Sequence, residues 1–211
     1  MKKLAILYAF VAFFSGCAMH APDASAFMEV LDKEYSKDEH GSIGYFCARG
    51  GEYDDKMPSL PSYWDAGGNF LILDYLVGGV SFQWVPIVNL GVGNRFVAFR
   101  SWLDFFSLIG NVRRANYGAG LVQQVIPTKN LRFGLEENLT HNSYGPILSA
   151  RYGDYAYWDL GLGLFSRYHQ ESNSFSLAVR VQRRFWGAEK ISKYGRYLLT
   201  ASLTVTWAGK K

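Results

Sequence analysis

Residues 197–207 read YLLTASLTVTW, and the two sets of alternate positions in this stretch differ in character. The set that begins with Tyr197 and ends with Trp207 is apolar, whereas the positions between are almost all Thr or Ser. Successive side chains of a β-strand point to opposite faces, so the stretch predicts a strand with one apolar and one hydrophilic face. An apolar face bracketed by aromatic residues is typical of a strand that faces lipid.

Two earlier stretches, 156–168 and 175–185, repeat the pattern. In the first, Trp158 and Tyr168 lie ten positions apart on the apolar face, which at about 3.3 Å per residue and a tilt near 45° is roughly 23 Å along the membrane normal. That height matches the apolar band of an outer-membrane barrel, whose aromatic girdle we predict to include the following residues: Trp158, Tyr168, Tyr197 and Trp207.

The predicted fold class is all-β, a closed antiparallel up-and-down β-barrel of eight to ten strands, because closure leaves no unpaired strand edge in lipid. Residues 41–211 form the barrel domain in this interpretation. Its first strand is predicted within 41–49, its longest loop within 50–68, and a two-residue hairpin turn at Gly78-Gly79.

Composition excludes several other classes of protein. Hydrophobic residues make up 49% of the 211, which is too few for a bundle of transmembrane helices, and 17% aromatic residues with 22 glycines favour strands and turns. The net charge of +4 falls to +2 without Lys2 and Lys3, and no basic run is present, so no nucleic-acid partner is predicted. Two cysteines, Cys17 and Cys47, exclude a disulfide scaffold, and neither a cofactor nor a metal site is predicted.

The N-terminus has the form of an export signal. Two lysines precede an apolar run from Leu4 to Phe14, which is too short to span a bilayer as a helix of about 20 residues. Residues 14–17, FSGC, resemble a bacterial lipobox, and this resemblance implies that Cys17 is lipidated and becomes the new N-terminus. Ordinary cleavage after Ala26 is the alternative.

These observations divide the chain into three parts. Residues 1–17 are the signal segment (or 1–26 if cleavage follows Ala26), and residues 18–40, which are mixed and charged, are predicted to be a tether or a short helix before the barrel. The whole resembles small bacterial outer-membrane β-barrel proteins with a lipoprotein-like signal sequence. The localisation that this resemblance implies is the outer membrane, with the periplasmic face, as a lipoprotein, as the alternative.

Charged residues on the inward positions of the C-terminal strands predict a network inside the barrel. The set consists of Arg132, Glu136, Asp159, Arg167, Arg180 and Arg184. Guanidinium groups inside a narrow barrel must pair with carboxylates or stay hydrated, so we expect salt bridges that fill the lumen. The alternative is an anion-attracting pore that admits a small ligand or ion.

His141 and Ser143 lie two positions apart, which would place both side chains on the same face of a strand, with His141 as base for a Ser143 nucleophile. This His-x-Ser element resembles that of the outer-membrane lipid A deacylases, whose fold is also a small barrel. The resemblance implies an acidic residue that orients the histidine, for which the nearest candidates are Asp154 and Asp159. A polar hairpin turn over 141–145 is the alternative interpretation.

Three functions follow. The first, which we favour, is a non-catalytic outer-membrane barrel with outer-membrane lipid as its partner and a structural, adhesive or narrow transport role. The second is a lipid-anchored soluble β-barrel that binds a small apolar ligand in its interior. The third is a lipid deacylase that uses His141 and Ser143.

Overall fold

The computed structural model describes residues 20–32, 41–53, 63–83, 85–105, 115–143, 156–170, 173–185 and 197–208. Within these residues one helix precedes ten strands. The elements are α1 (Ala24–Leu31), β1 (Ser42–Tyr53), β2 (Tyr63–Leu73), β3 (Leu76–Phe82), β4 (Pro86–Gly93), β5 (Val97–Asp104), β6 (Tyr117–Val125), β7 (Leu131–Ser143), β8 (Ala156–Gln170), β9 (Asn173–Arg184) and β10 (Tyr197–Ala208).

The strands form one closed antiparallel barrel in which each strand pairs with its neighbours along the chain. Closure is made by β1 and β10, which are paired from Ile43 opposite Ala208 to Tyr53 opposite Leu198. No edge strand is left among the described strands, so the backbone groups of the sheet find partners within it. The predicted fold is confirmed, with ten strands.

Side chains alternate between the two faces of the wall, and the apolar ones point outward. On β8, Leu160, Leu162 and Leu164 are 54%, 54% and 65% exposed, while the residues between them are buried in the barrel. The interior carries most of the buried polar residues, including arginines on six positions of the wall. This polarity is the reverse of that in a water-soluble protein, in which apolar strand faces turn towards the core.

The two ends of the barrel differ in the length of their connections. At one end, the turn end, short segments join the strands: 74–75, 94–96, 126–130 and 171–172. At the other end, the loop end, the segments 54–62, 105–116, 144–155 and 185–196 are longer, and only 83–85 is short. β1 begins and β10 ends at the turn end.

Two predicted boundaries were wrong. Gly78 and Gly79 lie within β3 instead of in a turn, and the turn falls at 74–75. The glycine at 79 is needed for space, because a Cβ there would collide with the side chains of Asn69 and Asn89 on the two flanking strands. The predicted loop over 50–68 is shorter, since β1 continues to Tyr53 and β2 begins at Tyr63.

Residues 20–32, here called the plug, lie inside the barrel. Asp23 caps α1 by accepting a hydrogen bond from the Ala26 N–H at 2.8 Å, and every residue of the helix is buried. Residues 18–40 were predicted to be either a tether or a short helix. The structure shows a short helix within this range, and the helix occupies the lumen. None of the helices in the described residues is long and apolar enough to cross a bilayer.

Candidate functional site

The lumen is the candidate functional site, and its wall carries a network of arginines and carboxylates. Glu136 on β7 is the central acceptor: one oxygen accepts from Arg100 Nη2 at 2.9 Å and the other from Arg180 Nε. Nearer the loop end, Arg184 lies 3.5 Å from Asp159 and its guanidinium stacks over the Tyr157 ring at 4.2 Å. These side chains are buried, so each charge depends on its partner instead of on solvent.

The plug runs along the lumen from the loop end to the turn end. Its first described residue, His20, contacts Gln83 and Gln182, which lie at the loop ends of the strands. Its last, Asp32, contacts Arg132, the second residue of β7 at the turn end. Residues 20–32 therefore run from the loop end to the turn end, opposite to the direction of β1.

Backbone carbonyl groups at the start of the plug accept hydrogen bonds from arginines on three strands. The Ala21 carbonyl accepts from Arg49 at 3.0 Å and from Arg180 at 3.2 Å, and the Pro22 carbonyl accepts from Arg100 at 2.7 Å. Further along the plug, the Ser25 carbonyl accepts a hydrogen bond from Arg167 on β8. The arginines of the wall thus bind the plug through neutral acceptors as well as through charge.

The three acidic residues of the plug each find partners on the wall. Asp23 accepts from Thr204 at 2.8 Å and lies 3.9 Å from Arg49. Glu29 accepts from two hydroxyl groups, those of Ser174 at 2.6 Å and Thr206 at 2.5 Å.

Asp32 makes the strongest of the charged contacts. One of its oxygens accepts from Arg132 Nε at 2.6 Å and lies 3.6 Å from Arg167, and all three side chains are fully buried. Ionised hydrogen bonds of this length are about twice as strong as neutral ones. Asp32 therefore fixes the turn-end half of the plug.

The plug also packs against the wall through apolar side chains. Phe27, Met28 and Val30 belong to one buried cluster with Tyr45 and Cys47 of β1. Cys47 is a free, buried thiol.

The β4 wall is shaped to the ring of Phe27. A Cβ added at Gly91 would lie 2.5 Å from Phe27 Cζ, so the glycine makes room for the ring. Arg100 lies over the same ring, with its guanidinium carbon 5.9 Å from the ring centroid. The plug thus fits the lumen by shape as well as by charge.

All six predicted lumen residues point inward and take part in this network: Arg132, Glu136, Asp159, Arg167, Arg180 and Arg184. The prediction missed Arg49 and Arg100, although the alternation of side chains along their strands indicated that both point inward. It also missed Asp23, Glu29 and Asp32, the acids of the plug. Their signal was weaker, because a short helix that contains or is flanked by acids has many other uses.

His141 and Ser143 are not hydrogen-bonded to each other in the structure. The His141 ring lies on the outer face, where Nδ1 is 2.9 Å from the Ala115 carbonyl and the ring stacks on Tyr117 at 4.8 Å. Ser143 Oγ is buried and has no hydrogen-bond partner in the described part of the chain. Asp159 points into the lumen towards Arg184, away from His141, and Asp154 falls outside the described residues.

The four predicted girdle residues all lie on the outer face, two near each end of the barrel. Tyr168 and Trp207 are 51% and 45% exposed near the turn end, and Tyr197 is 43% exposed near the loop end. Trp158 is half-buried near the loop end because its ring packs against His141 at 5.0 Å. Cys17, the predicted lipidation site, lies outside the described residues. The described residues contain no group of three or more His, Cys, Asp or Glu that could hold a metal ion.

No family model and no curated protein matches this chain. Among solved structures it is similar to the NanC porin, with 8% identity over 78% of this chain and 100% of that one, at a TM-score of 0.44. It is similar to the N-terminal β-barrel domain of Pseudomonas aeruginosa OprF, with 12% identity over 79% and 96% and a TM-score of 0.40. It is also similar to Ail, the attachment invasion locus protein of Yersinia pestis, with 11% identity over 79% and 94% and a TM-score of 0.35.

Proposed function

We propose that this protein is a non-catalytic outer-membrane β-barrel with a structural or adhesive role, whose lumen is closed by its own plug. The observation that carries the proposal is the outward apolar surface of a closed barrel with aromatic residues near both ends. A soluble barrel that binds an apolar ligand would have the opposite arrangement, with polar residues outside and an apolar cavity inside. Here the interior holds arginines, carboxylates and the plug.

The experiment that tests this proposal is membrane association without a lipid anchor. In a Cys17→Ser variant, we expect the protein to stay in the outer-membrane fraction after a urea wash and to migrate differently on gels before and after boiling. Barrels show this heat-modifiable migration because the closed sheet resists the detergent until it is heated. A soluble, unshifted Cys17→Ser protein would refute the membrane assignment.

The arrangement of the connections supports an orientation. Outer-membrane barrels have short periplasmic turns and longer extracellular loops, so the loop end faces the cell exterior in this proposal. A membrane-impermeant maleimide should then label a His20→Cys variant on intact cells and leave a Thr128→Cys variant unlabelled until the outer membrane is opened. The reverse labelling would invert the orientation. The protein without an added cysteine is the control, because Cys47 is buried.

We further propose that export proceeds by processing at Cys17. Cleavage after Ala26 would remove the cap residue Asp23 with its contact to Thr204, and the Ala21 carbonyl that two arginines bind. Those arginines would lose their plug acceptors, whereas processing at Cys17 keeps these contacts. The intact mass of the mature protein distinguishes the routes, since one product begins at a lipidated Cys17 and the other at Phe27.

A further inference from the structure

We propose that the plug is a displaceable stopper and that the lumen behind it is a pathway for small organic anions such as carboxylates. This inference rests on the proposed membrane-spanning barrel and adds a transport function to it. Its basis is that the plug presents to the wall what an anionic solute would present: carboxylates and carbonyl oxygens directed at arginines.

The charge of the wall favours anions once the plug is absent. Among the described residues, six buried arginines lie on the strands: Arg49, Arg100, Arg132, Arg167, Arg180 and Arg184. The buried carboxylates on the described strands are four: Asp65, Asp104, Glu136 and Asp159. The plug adds three more, Asp23, Glu29 and Asp32, so its departure changes the formal balance of these groups from negative to positive.

The arginines lie at successive heights along a path through the lumen. Arg184 and Arg49 lie towards the loop end, Arg100 and Arg180 share Glu136 near the middle, and Arg132 lies at the turn end. Arginine binds carboxylates through paired donors, and a series of such sites would let an anion pass from one to the next. The path therefore offers several binding sites along the lumen instead of a single deep one, which is what conduction requires.

The lumen is wide enough for this role. It accommodates an α-helix with all eight of its residues buried, and a helix with its side chains is about 10 Å across. Near the middle of the wall, Asn138 Nδ2 and Oδ1 and Arg100 Nε are buried without a hydrogen-bond partner in the described residues. These groups are donors and an acceptor that water or a passing solute would satisfy.

The plug is held in a way that permits release. It contacts the wall through side-chain pairs and single carbonyl bonds, and none of the described strands pairs with it. The plug forms no strand of the closed sheet, so its departure from the lumen needs no opening of the barrel wall.

The test is the conductance of planar lipid bilayers that contain the purified full-length protein or a variant lacking residues 20–32. We expect the full-length protein to be silent and the deletion variant to form open channels whose reversal potential in a KCl gradient shows preference for chloride. Adding Arg132→Gln and Arg167→Gln to the deletion should lower that preference at least severalfold. A synthetic peptide of residues 20–32 should block the channel, and a peptide with its three acids changed to amides should block it at least tenfold more weakly.

Two results would overturn the inference: a heat-modifiable deletion variant that inserts but does not conduct, or one that prefers cations. If the deletion variant does not fold, a full-length protein with Asp23→Asn and Asp32→Asn carries the same test. Open events must then appear with a chloride preference, and their absence in a folded, heat-modifiable protein refutes the stopper. Failure of the wild-type protein to insert or to show heat-modifiable migration would refute the membrane barrel itself, which is a separate outcome.

Discussion

Asp32→Asn tests how firmly the turn-end half of the plug is held. The substitution keeps the size of the side chain and removes the charge that faces Arg132 at 2.6 Å and Arg167 at 3.6 Å. In the plugged state both guanidinium groups would then lie fully buried beside a neutral amide. In the unplugged state water reaches them, so the cost of the substitution falls on the plugged state alone.

Removing one member of a buried ion pair costs about 3–5 kcal/mol. Each 1.4 kcal/mol changes an equilibrium tenfold, so the unplugged population should rise by about a hundredfold to a few thousandfold. We expect the lower end of that range, because the amide oxygen of the substituted side chain would still accept a hydrogen bond from Arg132.

The assay uses a reporter cysteine in the plug. Ala26→Cys places a small thiol at a fully buried position of α1, where a maleimide reaches it only when the plug has left the lumen. All variants also carry Cys47→Ser, because Cys47 packs against the plug and would become accessible with it. The labelling rate of Ala26→Cys should rise about a hundredfold when Asp32→Asn is added. Asp159→Asn is the matched control, since it removes a buried carboxylate whose partners, Arg184 and Asn142, both belong to the wall.

Equal labelling rates in the Asp32 and Asp159 variants would refute the reasoning, because the effect would then reflect general loosening of the barrel. The reasoning would also be refuted if Asp32→Asn left both the labelling rate of Ala26→Cys and the thermal unfolding of the protein unchanged. In that case the Asp32 contacts would contribute nothing to the position of the plug.

Two further predictions concern the apolar contacts. Phe27→Ala removes a ring that is 1% exposed and should destabilise the plugged state by about 3–5 kcal/mol, so the labelling rate of Ala26→Cys should rise as it does with Asp32→Asn. Met28→Leu nearly conserves volume and should cost under about 1.5 kcal/mol. On the outer face, Leu164→Arg near the middle of the predicted apolar band should destabilise the folded barrel in lipid by about 2–4 kcal/mol. Asn173→Arg at the turn end of β9 should cost at most about 1 kcal/mol. Both free energies are measured by reversible unfolding in lipid vesicles. A similar cost at both sites would contradict the band.

Sequence reasoning was most successful on the long C-terminal strands. β8, β9 and β10 each run 12 residues or more, so their alternation repeats often enough to indicate both faces. The inward arginines followed from the same alternation. The shorter strands β3 to β6 were harder to define, and the turn predicted at Gly78-Gly79 was wrong because glycines serve packing as readily as turns.

By itself, then, the sequence determined the period-two pattern, the polarity of the two faces and the aromatic positions, since each depends only on neighbouring residues in one strand. Only the tertiary structure decided that residues 20–32 fill the lumen. Asp32 and Arg132 are 100 positions apart, and no local pattern says that a short helix flanked by acids lies inside a barrel instead of outside it. That choice is made when closure places arginines from separate strands around one space, where their buried charges need the carboxylates and carbonyls that the plug supplies.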